Sequence, residues 1–372
     1  MPQLHTYEPL YTPRSHRAVS GAVLLGLVTS SERVAFKLLV DRAAPFRALL
    51  AVAVVLCYSV MMLVVTTYKY LCTDEISADM RKFPQSKVIG MAALDTLQLF
   101  MMTLSAAAVT PACTVLLLQA SIPITMLLSR VSASQPDVSP QWNHVAGARL
   151  IAASAAVGLI PSFAALALAP DAAAAVSAWS TLVYVLSCLP ASVSTLYKER
   201  ALREHAQPMD PNYLNLCLAV YQLLLSLVAL PLAYQLQFQG PSPVALGVNI
   251  RDGCACILFS RSPIAEELAS AHCSWAALLL LIFVCATSGI NAVIDHVLSH
   301  GSESLMYRAI TMSSALSVAV LGLSCRSDPG LFGTSLSWTD LLSLACLIGG
   351  LELYHRTQVP DLQFLTSWSS TP

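Results

Sequence analysis

Ten long apolar runs constrain this chain more than any other feature of its sequence. A helix needs about 20 apolar residues to cross a bilayer core roughly 30 Å thick. Runs of that length lie at 18–40, 47–67, 87–109, 111–131, 147–169, 174–197, 212–236, 275–298, 304–325 and 338–358. Charged residues make up 11% of the chain, against about a quarter in an average soluble protein. The sequence therefore predicts an all-α integral membrane protein with ten transmembrane helices.

Lysine and arginine are unevenly divided between the two sides of such a bundle. Eleven fall on the side of the N-terminus, namely Arg14, Arg17, Lys69, Arg81, Lys82, Lys87, Arg130, Lys198, Arg200, Arg203 and Arg356. Five fall on the other side, namely Arg42, Arg47, Arg251, Arg261 and Arg326. The positive-inside rule then predicts that both termini are cytoplasmic. Residues 1–17 and 359–372 would form cytoplasmic tails. No small-residue cleavage site follows the first run, so we expect that run to be a retained helix and not a signal peptide.

The longest connection, at about 237–274, would face the lumenal side and carries Cys254, Cys256 and Cys273. Cysteines in an oxidising compartment are more often paired than free. Three free thiols remain an alternative. A zinc site that also uses His272 is a further one, although the ligands lack the usual spacing. The residues alone do not decide which cysteines pair.

Several function classes lack their sequence signature. Neither G-x-x-x-x-G-K-[ST] nor G-x-G-x-x-G occurs, so ATP-driven transport has no support. The formal net charge of -1 gives no reason to expect a nucleic-acid partner. The G-x-G-D motif of intramembrane aspartyl proteases is absent, and a serine enzyme built from Ser324 and His355 is a remote alternative. A solute transporter is favoured over an enzyme, and no cofactor or metal is expected.

Asp95 lies near the middle of the third run, where an ionised carboxylate costs roughly 3 kcal/mol unless it is hydrated or paired. Asp95, Gln98, Met102 and Ser105 are spaced i, i+3, i+7 and i+10, which places them on one helical face. We expect this face to line a wet cavity, where the carboxylate could bind a cationic group or exchange a proton. The alternative is a structural aspartate paired with Arg33 or Arg308.

Gln119 and Pro123 lie one helical turn apart in the fourth run. A proline frees the backbone carbonyl one turn earlier, which a neighbour or water must satisfy. An open carbonyl beside an amide side chain would make a substrate contact. Lys37, near the end of the first run, is expected to extend its ammonium to the lumenal interface.

Six short stretches, in order along the chain from about residue 33 to 310, resemble one family. They are Leu116-Leu117-Leu118-Gln119-Ala120-Ser121-Ile122-Pro123-Ile124, Ala93-Leu94-Asp95, Lys198-Glu199, Tyr213-Leu214-Asn215, Ile294-Asp295 and Asn249-Ile250-Arg251-Asp252-Gly253-Cys254-Ala255-Cys256 closed by Cys273. Together they resemble the chloroquine-resistance-transporter-like family of the drug/metabolite transporter superfamily. The resemblance implies two inverted five-helix repeats, here 18–169 and 174–358, around a central cavity.

The resemblance also bears on individual residues. It implies that Arg33 lies beside the cavity, where a fixed positive charge would favour anionic or zwitterionic solutes. It implies a disulfide between Cys256 and Cys273, although parasite members can carry a second pair that has no clean match here. The second-half counterpart of Pro123 falls near Leu316, so the second repeat lacks that helix-breaking residue.

From the residues and the resemblance together we expect a secondary, proton-coupled transporter that works by alternating access. Its partners would be a small solute, protons and the lipid bilayer. The expected solutes are small peptides, amino acids or related compounds, among which cationic drugs could be included. The expected location is a vacuolar or lysosomal membrane, with a plastid envelope as the alternative. A nucleotide-sugar or phosphorylated-metabolite antiporter is the main alternative. It would need several cations facing the cavity to hold phosphate, and the sequence offers only Arg33 and Arg308.

Overall fold

The computed structural model describes residues 13–72, 80, 83–132, 142–168, 171–203, 209–237, 246–264, 273–300, 303–327 and 337–355. Every regular element within these residues is a helix, which confirms the predicted all-α class. The α-helices are α1 (Pro13–Arg42), α2 (Arg47–Cys72), α3 (Gln85–Ala106), α4 (Pro111–Leu118), α5 (Ser121–Ser132), α6 (Trp142–Leu168), α7 (Ala172–Leu186), α8 (Cys188–Arg203), α9 (Pro211–Gln237), α10 (Leu246–Phe259), α11 (Ala276–His300), α12 (Glu303–Ser327) and α13 (Trp338–His355). Residues 1–12, the tail 359–372 and His272 lie outside the described residues.

Seven described segments are long and apolar enough to cross a membrane. They are Ala44–Cys72, Gln85–Ala106, Pro111–Val131, Trp142–Leu168, Ala172–Leu202, Pro211–Gln237 and Ala276–Ile294. The predicted runs at 18–40, 304–325 and 338–358 coincide with α1, α12 and α13, which are helical but fall outside this set. The chain is a multi-span membrane protein, and the count of ten spans stays a prediction.

Two of the membrane segments are broken, each just before a proline. α4 ends at Leu118 and α5 begins at Ser121, two residues before Pro123. α7 ends at Leu186 and α8 begins at Cys188, two residues before Pro190. A proline cannot donate to the carbonyl one turn back, so the ladder of helical hydrogen bonds is interrupted at these points.

The two breaks pack against each other. The Cys188 thiol donates to the Leu117 carbonyl at 3.7 Å, and the Ser192 hydroxyl donates to the Ser121 carbonyl at 3.2 Å. Side chains of α8 therefore bind backbone groups at the end of α4 and the start of α5. This pairing satisfies polar backbone groups inside the bundle.

The helices pack in a definite set of pairs. α1 packs on α11 and α12, α8 packs on α3 and α5, α2 packs on α9, α6 packs on α13, and α4 packs on α12. The α6 and α13 backbones approach each other closely, because glycines meet at the crossing. A Cβ atom on Gly147 would lie 2.6 Å from the Tyr354 nitrogen, and one on Gly350 would lie 2.9 Å from the Ile151 nitrogen.

At one end of the bundle, which we call the α1–α2 end, hydrogen bonds hold the turn that joins those two helices. The Gln237 amide at the end of α9 donates to the Pro45 carbonyl and accepts from the Ala48 N–H at 2.8 Å. The Arg47 guanidinium donates to the Leu104 carbonyl near the end of α3 at 2.6 Å. The turn is thereby fixed to both α3 and α9.

Lys37 strengthens the same end, but from inside the bundle. Its Nζ donates to the Ala106 carbonyl at 2.9 Å, to the Val109 carbonyl at 2.7 Å and to the Asp41 carboxylate at 2.7 Å. The expectation that Lys37 extends to the interface is wrong, since its side chain is 2% exposed. Carbonyls at the end of α3 and in the turn that follows it attract the cation, as expected near a helix C-terminus.

The short helix α10, within the predicted lumenal loop, lies over this end. A Cβ atom on Gly253 would lie 2.5 Å from Leu49 Cδ2 and 2.9 Å from Phe46 Cδ1, so a larger residue would require these side chains to move. The Asn249 amide donates to the Pro45 carbonyl at 3.3 Å. α10 thus covers the α1–α2 turn with both apolar and polar contacts.

The opposite end, which we call the α2–α9 end, is where α2 finishes and α9 begins. Lys69 Nζ and Asp210 Oδ2 are 2.8 Å apart there. The other Asp210 oxygen accepts the N–H groups of Asn212 and Tyr213, each at 2.9 Å. Asp210 therefore caps α9 while it joins that helix to α2.

Candidate functional site

A cavity of about 310 Å³ lies among α2, α3, α8, α9 and α11. Its polar lining consists of Tyr58, Asp95, Gln98, Lys198, Asn215, Gln222 and Thr287, and its apolar lining of Val54, Val55, Leu99, Met102, Leu218, Ala219, Phe283 and Val284. Asn215 lies in the first turns of α9, so the cavity extends toward the α2–α9 end. Toward the α1–α2 end, a buried apolar cluster that includes Phe46, Leu50 and Leu280 lies beyond it.

Asp95 carries an ion pair into the wall of this cavity. Lys198 Nζ lies 2.7 Å from Asp95 Oδ2, and the Ser194 hydroxyl donates to Asp95 Oδ1 at 2.6 Å. Ser194 and Lys198 are one turn apart on α8, so one face of that helix supplies both partners. The predicted structural alternative named Arg33 or Arg308 as the partner of Asp95, whereas the partner in the structure is Lys198.

The predicted polar face of α3 lies largely along the cavity. Gln98 and Met102 line it together with Asp95. Ser105 does not, because it is buried and its hydroxyl donates to the Met101 carbonyl one turn earlier. The part of this face that lines the cavity therefore ends at Met102, one turn before the end of α3.

Arg33 and Gln119 meet at a different place, around the fully buried Ser314 of α12. The Arg33 guanidinium donates to Ser314 Oγ at 2.6 Å, and the Gln119 amide donates to the same oxygen at 3.4 Å. The neighbouring Glu32 accepts from the Thr287 hydroxyl at 3.3 Å, and Thr287 lines the cavity. The Arg33 cluster thus reaches the cavity wall through Glu32 and Thr287.

Pro123 is the third residue of α5. It frees the Gln119 carbonyl as predicted from the sequence, but the Ile122 N–H donates to that oxygen at 3.1 Å. The chain therefore already binds the carbonyl that we expected to be open to a solute. The Gln119 side chain, 8% exposed, is likewise engaged with Ser314.

Sequence reasoning missed Lys198 as a residue of the cavity. The predicted sixth span ended at residue 197, so Lys198 was counted among the loop cations, whereas α8 continues to Arg203. The available signal was the spacing of Ser194 and Lys198, which places a hydroxyl and a cation on one helical face. Among the other missed polar residues of the lining, Asn215 and Gln222 are seven residues apart and so share one face of α9. Tyr58 and Thr287 have no comparable signal within their own helices.

Cys256 and Cys273 lie together at the α1–α2 end. Their sulfur atoms are 1.99 Å apart, whereas Cys254 is a free, half-buried thiol. The pairing implied by the resemblance is therefore compatible with the structure, and the bond in the mature protein stays a prediction. Among the described residues no group of three or more His, Cys, Asp or Glu side chains could hold a metal ion.

Comparison with known proteins identifies a family of similar chains. The model of the CRT-like family, described as chloroquine-resistance transporter-like, matches residues 21–354. Crt homolog 3 of Dictyostelium discoideum is 24% identical over 320 residues, which cover 80% of this chain and 64% of the relative. The chloroquine resistance transporter of Toxoplasma gondii is 26% identical over 346 residues, which cover 89% of this chain and 37% of the relative. The chain spans less than two thirds of the length of these two curated relatives. The name of the Toxoplasma relative and the description of the family agree with the prediction of a transporter rather than an enzyme.

Proposed function

The chain belongs to the chloroquine-resistance-transporter-like family, and from this premise we propose that it is a secondary transporter of small organic solutes. The proposed solutes are small peptides, amino acids or related compounds, and cationic drugs are included among the related compounds. They bind in the cavity among α2, α3, α8, α9 and α11. The observation that carries the proposal is the Asp95–Lys198 ion pair in the wall of this cavity, where both charges can reach a solute.

Alternating access is the proposed mechanism, and the two ends of the bundle support it by their difference. The cavity extends toward the α2–α9 end, which is cytoplasmic in the predicted orientation. The α1–α2 end is held by Gln237, Arg47 and Lys37 and covered by α10. In the proposal this conformation presents the site to the cytoplasm, and loss of those contacts presents it to the lumen.

Two five-span repeats would account for the way the helices pack. Counting α4–α5 and α7–α8 as one span each, and α10 as a loop helix, gives ten spans in two sets of five. The equivalent spans would then be α1 and α7–α8, α2 and α9, α3 and α11, α4–α5 and α12, and α6 and α13. Replacing each span by its equivalent turns the α1–α11 pair into the α8–α3 pair, and the α1–α12 pair into the α8–α5 pair. The pairs α2–α9, α6–α13 and α4–α12 each map onto themselves. Because five is odd, such repeats would have opposite orientation in the membrane.

Proton coupling would use the same carboxylate. Asp95 is 18% exposed at the cavity. Its carboxylate could therefore exchange Lys198 for a proton or for a cationic group of a solute. Exchange among these partners as access alternates would link solute movement to a proton gradient. The predicted setting is the membrane of an acidic vacuole or lysosome, with a plastid envelope as the alternative.

The nucleotide-sugar antiporter remains the second candidate, but the cavity gives it little support. Within the described lining the cation is Lys198, and Asp95 already neutralises it. Arg33 is bonded to Ser314, and Arg308 is not among the lining residues. A phosphate group generally requires several free cationic donors.

Uptake into proteoliposomes tests the proposal. The purified chain would be given an inward proton gradient and a membrane potential, with a radiolabelled dipeptide, glutathione, lysine, a cationic quinoline and a nucleotide sugar offered in parallel. Gradient-dependent accumulation of a peptide or amino acid is the expected result. Uptake of the nucleotide sugar alone, indifferent to protons, would favour the second candidate. No uptake of any of the five solutes would contradict the proposal.

A further inference from the structure

The Asp95–Lys198 pair differs from the Lys37–Asp41 and Lys69–Asp210 pairs in what surrounds it. Lys37 of the Lys37–Asp41 pair is 2% exposed and also binds two backbone carbonyls. Asp210 of the Lys69–Asp210 pair caps the start of α9, so both of these pairs have a structural task. Asp95 and Lys198 are 18% and 30% exposed, and both line the cavity.

Lys198 has hydrogen-bonding capacity that the described protein atoms do not use. A lysine ammonium has three N–H donors and no acceptor. Its acceptor within the described part of the chain is Asp95 Oδ2. Asp95 accepts from Lys198 and from Ser194, which leaves lone pairs on both of its oxygens. Each charge can therefore accept a solute group of opposite sign.

A solute with both charges fits this site better than a solute with one. If the carboxylate of such a solute binds Lys198 and its ammonium binds Asp95, every charge stays paired. This holds whether or not Asp95 and Lys198 remain in contact with each other. A solute that is only a cation would bind Asp95 and leave Lys198 without a counter-ion. A solute that is only an anion would do the reverse, and an unpaired charge in a partly desolvated site is unfavourable.

The rest of the lining suits a small molecule of this kind. Gln98, Asn215 and Gln222 supply amide groups that can both donate and accept, as a peptide bond requires. The volume of about 310 Å³ is at the lower end of the range for ligand pockets. Phe283 and Leu218 are among the apolar residues that would contact an apolar side chain of the solute.

We infer that Lys198 determines specificity by binding the carboxylate of a zwitterionic solute whose ammonium binds Asp95. The inference rests on the proposed transport function and narrows it to one class of solute, the amino acids and short peptides with free termini. No covalent step is involved. The solute is recognised through the exchange of the Asp95–Lys198 ion pair for ion pairs with its own ammonium and carboxylate.

Three forms of one dipeptide test the inference in proteoliposomes. They are the free dipeptide, its N-acetyl form, which is an anion, and its C-terminal amide, which is a cation. The wild-type chain should prefer the free dipeptide to both. Lys198→Gln should lose the preference over the amide by about tenfold or more, the effect expected of a hydrogen bond to a charged group. Asp95→Asn should instead lose the preference over the N-acetyl form, measured as equilibrium binding of the radiolabelled forms to the purified variant in detergent.

Two further variants control for folding. Lys198→Arg keeps the charge and should keep the preference for the free dipeptide over the amide. The double variant Asp95→Lys with Lys198→Asp restores one charge of each sign and should recover part of the uptake that either single variant loses. Each variant would first be shown to be monodisperse by size-exclusion chromatography in detergent.

The outcomes separate this inference from the proposed function. An unchanged preference in Lys198→Gln would overturn the inference and leave the transporter in place. Wild-type uptake of the cationic quinoline, but of neither lysine, glutathione nor any of the three dipeptide forms, would do the same. Absence of uptake across the whole panel would overturn both.

Discussion

Replacing Gln237 by alanine should loosen the α1–α2 end of the bundle. The Gln237 amide donates to the Pro45 carbonyl and accepts from the Ala48 N–H at 2.8 Å, so it joins the end of α9 to the turn before α2. Alanine removes both hydrogen bonds. The Pro45 carbonyl retains the weaker bond from Asn249 at 3.3 Å.

The magnitude follows from these two bonds. Each contributes about 0.5–1.5 kcal/mol net, so the closed arrangement loses about 1–3 kcal/mol. A difference of that size changes the ratio of closed to open populations by about 5–150-fold. The effect belongs to this end of the bundle, because the Gln237 side chain makes its described hydrogen bonds there.

Thiol accessibility measures the change directly. Val284→Cys places a thiol in the cavity wall, and a membrane-impermeant maleimide is added from the α1–α2 side of oriented proteoliposomes. A sample without the new cysteine is subtracted, because Cys72 and Cys285 are exposed elsewhere. Gln237→Ala should raise the labelling rate, whereas the exposed Gln235 on the same helix, replaced by alanine, should leave it unchanged. Equal rates in the two folded variants would refute the assignment of Gln237 to this closure.

Three further predictions address the site, the packing and the cysteines. Asp95→Asn should insert and fold normally but lose uptake or its proton dependence; wild-type transport by this variant would exclude the proposed role. Gly147→Ala forces a Cβ atom to 2.6 Å from a backbone nitrogen of α13 and should cost about 1–3 kcal/mol of stability. Gly289→Ala is the matched control, with nothing within 4 Å, and equal thermal midpoints for the two would contradict the α6–α13 packing. Cys256 and Cys273 should resist alkylation in intact protein until a reductant is added, and ready modification of both without reductant would disprove the bond.

Local periodicity was enough to predict part of the site. Asp95, Gln98 and Met102 recur on one face of a single helix, and a carboxylate at that depth must be hydrated or paired. The helical pattern alone therefore predicts that this face meets a cavity or a partner. Pro123 likewise marks a helix break through its own chemistry, whatever packs around it.

Contacts between distant segments could not be predicted in this way. Arg33 and Ser314 are 281 residues apart, and nothing in either helix identifies the other. The spacing of Ser194 and Lys198 indicates a shared helical face, but near the end of an apolar run it does not distinguish an interfacial cation from a cavity cation. Lys37 is similar, since its ammonium binds carbonyls at the end of α3 and in the turn after it, which lie 69 and 72 residues away.

The cavity and the α1–α2 end are built on the same helices, which in the proposed transport cycle would connect solute binding to that end. α3 carries Asp95 in the cavity and, near its end, the Leu104 carbonyl that Arg47 binds. α9 carries Asn215 in the cavity and Gln237 at the closed end. A solute that separates Asp95 from Lys198 changes what holds α3 against α8. In the proposed alternating-access mechanism, the solute could shift the balance between the two states only as far as its affinity for them differs. The energy of recognition in the cavity therefore sets an upper limit on how strongly a solute can open the α1–α2 end.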